Sequence, residues 1–183
     1  MTFRSFAIAL ACAPFIFAAD KPAPTMAAIL DGSISGIEHE IVPLVEAMPE
    51  QAMSFAPTSG EFKGARTFAQ QAKHVAFVIY EVSAAALGEK NPSATEANEN
   101  GPATVKTRED IAKYLKDAFA YAHRAAQTVT AQNATESIDS PFGDGKMSRL
   151  GAINIVAWHS FDHYGQMVIY ARMNGIVPPA SRQ

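Results

Sequence analysis

Cysteine occurs once and tryptophan once in the 183 residues. A chain with one thiol cannot carry a disulfide framework or a cysteine-rich zinc site. An excess of basic residues is missing too. Fifteen Lys and Arg stand against eighteen Asp and Glu, a formal charge of -3, and no basic cluster offers a phosphate-binding stripe. Nucleic acid is therefore not an expected partner. Beyond the first nineteen residues no apolar run approaches the roughly 20 residues that a membrane span requires. Alternating strand patterns are absent as well, which leaves helices as the material of the core.

What is present begins with "MTFRSFAIALACAPFIFAA", one early positive charge at Arg4 followed by an apolar run and small residues. This reads as a secretory signal peptide over residues 1–19, removed after Ala19. Export to a secreted or periplasmic location follows, and Cys12 leaves with the signal. Cys12 after "IALA" also suggests a lipoprotein processing site, but the apolar "PFIFAA" beyond it favours ordinary cleavage. The remainder, residues 20–183, has the length of one domain with a sizeable core.

Four periodic segments follow. Leu30, Ile34, Ile37, Ile41, Leu44 and Met48 step by three and four and form one helical face, with Pro43 a place for a kink. Pro49 to Gly64 is a long connection. A second helix starts near Ala65, with its stripe at Phe68, Ala72, Val75, Ile79, Val82 and Ala86 and its stop at Leu87-Gly88. The polar tract Lys90 to Val105 is a surface loop. Thr107 caps a third helix, whose stripe runs through Ile111, Leu115, Ala118, Ala122, Ala125 and Val129. "NATESIDSPFGDGK" breaks the period. A fourth helix runs from near Met147 to about Asn174, ahead of Gly175 and Pro178-Pro179. The fold expected is an all-α four-helix bundle with long connections.

Within the fourth helix, His159 and His163 are four residues apart, separated by about 40° around the axis, and so lie one above the other. Spacing alone fits either two metal ligands or two core imidazoles. His74, in the middle of the second helix, could supply a third ligand across the bundle. Three imidazoles with an open position suit a catalytic metal site, and neutral imidazole accepts zinc, nickel, copper or iron. Glu81, seven residues after His74, falls within about 20° of it on the helix surface, two turns away, and is the candidate general base. Gln166 and Tyr170 continue the histidine side of the fourth helix, and Tyr164, Gln166 and Tyr170 could orient a ligand histidine or contact substrate. His39, between two glutamates, reads as solvated, His123 as a packing or surface residue, and Asp162 as turned away from the histidine line.

The segments "EAMPEQAMSFAPTSG", "TFAQQAKHVAFVIYE" and "WHSFDHYGQMVIYARMNGIVPP" resemble the DinB-like (DinB/YfiT) superfamily of metal-binding four-helix bundles, over about Thr25 to Arg182. The resemblance implies that His74, His159 and His163 hold a divalent metal, commonly zinc or nickel, with water completing its coordination. It also implies chemistry of the kind seen in thiol-dependent transferases, which use bacillithiol or mycothiol, and in a maleylpyruvate isomerase. Those thiols are cytosolic, so an exported chain would meet a different nucleophile. The expected function is thus a secreted metal-dependent hydrolase or transferase acting on a small molecule. The alternatives are a non-catalytic metal- or ligand-binding module, which could pair with a second copy as a homodimer, and a purely structural bundle with core histidines.

Overall fold

Each long helix begins where a side chain takes up backbone amides that the first helical turn leaves unpaired. In the computed structural model, which describes residues 22–93 and 98–182, Thr25 accepts from the Ala28 amide at 3.1 Å and opens α1, Met26–Ala47. Thr67 and Gln70 form a reciprocal capping box, with bonds of 3.2 and 2.8 Å, and open α2, Phe68–Leu87. Gly88 ends α2 with φ +67°, a left-handed conformation that costs glycine little. Thr107 and Asp110 repeat the box at α3, Arg108–Ala126. Ser148 accepts from Gly151 at 3.0 Å and opens α4, Arg149–Met173.

The stripes read from the sequence meet in one core. Ile34, Ile37 and Ile41 from α1, Phe68, Val75 and Ile79 from α2, and Ile111 and Leu115 from α3 are all buried, and Phe119 of α3 and Ile153 and Met167 of α4, which lie outside those stripes, are buried with them. α1 and α2 each pack against both α3 and α4, so the helices form a ring in the order α1, α3, α2, α4. This adjacency of α2 and α4 brings His74 opposite the histidine pair. No helix of the described residues is long and apolar enough to cross a membrane.

Several details differ from the sequence expectation. The break after α3 contains two short antiparallel strands, β1 (Ser137–Asp139) and β2 (Lys146–Ser148), with Ile138 opposite Met147. Strands of three residues carry too little alternation to be read in advance. Because Met147 belongs to β2, α4 starts at Arg149, and because Thr67 is the cap, α2 starts at Phe68 rather than near Ala65. α3 stops at Ala126, yet Val129 is still buried beyond its end. Arg149 ties the hairpin to the bundle, donating to the Ala86 carbonyl at the end of α2 and to Glu136 at 2.8 Å. The connection after α1 holds a single 3₁₀ turn, Glu50–Ala52. The expected signal peptide, its cleavage point and Cys12 lie outside the described residues.

Candidate metal centre

Packing of α2 on α4 brings three imidazoles together. The ring centroids of His159 and His163 are 4.5 Å apart, those of His74 and His163 4.9 Å, and those of His74 and His159 5.2 Å. One nitrogen from each lies within 4.8 Å of the others, a group that could hold a metal ion. His74 and His163 are buried and His159 is partly so.

The outer nitrogens decide which inner nitrogens are available. His74 Nδ1 lies 2.6 Å from the Glu99 carbonyl oxygen, which only accepts, so the proton is on Nδ1 and Nε2 keeps its lone pair. His163 Nδ1 donates to the Gln71 side-chain oxygen. Gln71 donates in turn to Gln166 at 3.0 Å, and Gln166 to Asp162 at 3.3 Å. A chain of amides thus holds the His163 ring from outside, the arrangement typical of ligand histidines. His159 Nε2 and His163 Nε2 are 3.2 Å apart, close to the separation of about 3.3–3.4 Å that two imidazole nitrogens adopt on one tetrahedral zinc. With His163 Nε2 as acceptor, His159 donates from Nε2 and its Nδ1 is buried without a partner among the described residues. As a ligand through Nε2, His159 would carry its proton on that Nδ1.

Electrostatics hold the cluster in its neutral form. Burial, then the neighbouring imidazoles, lowers the pKa of His159 to about 4. Burial, then His74 and Arg66, does the same for His163, again to about 4. His74 is lowered by burial, against which the Glu99 carbonyl acts. Imidazoles that stay neutral at pH 7 offer lone pairs to a cation without first losing protons. The donor set, its spacing and its protonation therefore fit a divalent ion.

Two grooves flank the cluster. One, about 520 Å³, is lined by His74, His159, Arg66, Phe142, Ile155 and Trp158 among others. The second, about 480 Å³, is lined by His163, Gln71, Gln166, Arg66, Phe62 and Ile169 among others. Arg66 borders both. Its guanidinium bonds Asn100 at 2.9 Å and the Glu99 carboxylate at 3.0 Å.

The other residues singled out from the sequence lie elsewhere. Glu81 is not brought to the cluster: its carboxylate accepts from Asn91 at 2.8 Å and lines a separate groove with Gly88, Asp139 and Arg149. Two helical turns of axial rise, about 10 Å, account for that separation. Tyr164 is directed to Glu40 of α1, and its burial together with that contact raises its pKa to about 12. Tyr170 packs edge-on against Phe55 with centroids 5.7 Å apart and borders the second groove. His39 is exposed. His123 bridges two α1 carboxylates, Asp31 at 2.7 Å and Glu38 at 3.0 Å, an ion-pair role rather than plain packing. Asp162 is exposed, as expected, but ends the amide chain behind His163. Gln71, Arg66 and Glu99 were not singled out from the sequence. Gln71 had one available signal, its place one turn before His74 on the same face.

The fold is an all-α bundle whose second and fourth helices present three converging imidazoles that could hold a metal ion. Residues 35–167 match the DinB superfamily, and the chain belongs to that superfamily. Two solved structures share the fold. A DinB-like protein from Bacillus cereus superposes with a TM-score of 0.65 at 19% identity, covering 82% of this chain and 93% of that one. The DinB-like protein YjoA of Bacillus subtilis gives 0.62 at 14% identity, covering 85% and 99%. No curated protein matches.

Proposed function

We infer that the protein is an exported, metal-dependent hydrolase or group transferase that acts on a small molecule, with zinc or nickel held by His74, His159 and His163. The observation that carries this reading is the set of three neutral imidazoles opening onto two grooves rather than being sealed in the core. When bound, a divalent ion supplies Lewis acidity that polarises a substrate oxygen or sulfur. The chain's own residues do the rest. The Glu99 carbonyl keeps His74 Nε2 unprotonated, and Gln71 does the same for His163. The apolar groove walls exclude water from one side of the substrate, and grooves of this size suit a small molecule. The apolar N-terminal run supports action outside the cytoplasm.

A second reading, a metal-binding module without catalysis, is favoured by one observation. The two glutamates nearest the cluster in sequence or loop, Glu81 and Glu99, have their carboxylates on Asn91 and Arg66 rather than on an imidazole. Assay of the zinc- or nickel-loaded protein against esters, amides, phosphoesters and thiol acceptors separates the two. Turnover that chelation and His163→Ala both abolish is expected. Full metal occupancy with no turnover across the panel leaves the binding module.

A further inference from the structure

The metal reading leaves the substrate open, and the surroundings of Arg66 narrow it. Resting on that reading, we propose that the groove between α2 and α4 takes a small molecule with an aromatic or otherwise apolar body and a single carboxylate, the carboxylate binding Arg66 and the body lying against Trp158 and Phe142.

Three observations combine. First, among the described residues Arg66 is the one Lys or Arg lining the two grooves beside the histidines. Its charge opposes a second cation nearby, so an anion in the groove relieves a conflict that the metal centre would otherwise carry. Second, the anion now neutralising Arg66 is replaceable. The Glu99 side chain is 76% exposed, and an ion pair that open to water contributes little to stability. A ligand carboxylate forming the same charge-assisted bonds inside the apolar groove loses less to solvent. Third, the same groove has an aromatic, uncovered lining. Phe142 is 56% and Trp158 55% exposed, large rings that gain from burial under an apolar ligand. Arg66 already pairs with the carboxylate of Glu99 at 3.0 Å, and its planar guanidinium matches the two oxygens of a ligand carboxylate in the same way.

The chain's single tryptophan lies in this groove, so its fluorescence reports occupancy. Naphthalene-2-carboxylate, naphthalene-2-carboxamide and 2-naphthyl phosphate are titrated into the zinc-loaded and the chelator-treated protein, with calorimetry in parallel and zinc content measured on each sample. The carboxylate is expected to bind about tenfold more tightly than the amide, the gain of one charge-assisted contact. Arg66→Gln should erase that preference without changing the amide's affinity or the zinc content, and Arg66→Lys should restore part of it. Glu99→Gln, which keeps the backbone carbonyl on His74 and removes the competing carboxylate, should tighten naphthoate binding. Trp158→Leu, followed by calorimetry, should weaken naphthoate and amide alike.

A carboxylate preference that survives Arg66→Gln overturns the proposal. So does tighter binding of the phosphate. If chelation erases the preference and Arg66→Gln does not, the ligand is held through the metal: the Arg66 assignment fails and the metal centre stands. If the preference depends on Arg66 in protein that binds no metal, the metal reading fails and the anion site stands.

Discussion

Replacing Gln71 with leucine tests the outer support of the histidine cluster. Gln71 is 3% exposed, accepts from His163 Nδ1 and donates to Gln166. Leucine keeps the volume and removes both bonds. Gln166 is exposed and finds water, but His163, 7% exposed, does not. Leaving one buried N–H unpaired costs about 1–3 kcal/mol of folding stability. Loss of the outer partner of a ligand histidine lowers metal affinity by about 10–100-fold, or roughly 1.4–2.8 kcal/mol. Competition against a chromophoric chelator at fixed pH measures the affinity, and a denaturant melt of the metal-free protein measures folding separately. Gln71→Glu, whose carboxylate accepts more strongly from His163, should retain wild-type affinity or exceed it. If Gln71→Leu binds zinc within twofold of the wild type while remaining folded, the reasoning about His163 is wrong.

Acid should destabilise the metal-free protein. His159 and His163 have folded pKa values lowered to about 4 from 6.5, so between those values the unfolded chain binds more protons. Stability is then lost as pH falls through that window, read as a falling denaturant midpoint, and replacing both residues with glutamine should flatten the fall. His123 acts in the opposite sense. Burial works against its charge, but hydrogen bonds to Asp31 and Glu38 outweigh burial and raise its pKa. Its contribution is present below 6.5 and is lost as pH rises through the folded value, a component that His123→Gln should remove. Gly101→Ala should cost about 1–3 kcal/mol in a thermal melt. Gly101 has φ +72°, and a Cβ there would stand 2.7 Å from Lys73 Cβ. Zinc affinity should fall with it, because Glu99, whose carbonyl orients His74, is two residues away. Thr67→Ala removes the capping box of α2 and should cost about 1 kcal/mol by the same measurement.

The helices were legible because their stripes are long and apolar and their caps are chemically distinctive, as with Thr107 before Arg108-Glu109-Asp110. His159 and His163 were legible as a pair because four residues return to the same helix face. That His74 meets them depends on α2 lying beside α4, and periodicity does not state that order. Arg66 and Glu99 come from the connections flanking α2. Their meeting depends on how the Asn98–Val105 segment folds back, with Lys73 holding the carbonyls of Pro102 and Val105 at 3.0 and 3.3 Å. Glu81 shares an angular position with His74, but angle without axial distance does not make a shared site. Trp158 and Phe161 stand exposed on α4 within a helix that is apolar on more than one side, so burial there was not readable from hydrophobicity alone.

Metal stoichiometry tests the central claim most directly. Protein purified without chelator, equilibrated with zinc and desalted is analysed by elemental mass spectrometry alongside His74→Ala, His159→Ala, His163→Ala, His39→Ala and His123→Ala. One tightly held ion per chain is expected in the wild type and in the His39 and His123 variants, with retention lost in each of the other three. Undiminished zinc in the His74, His159 and His163 variants would contradict the three-histidine centre.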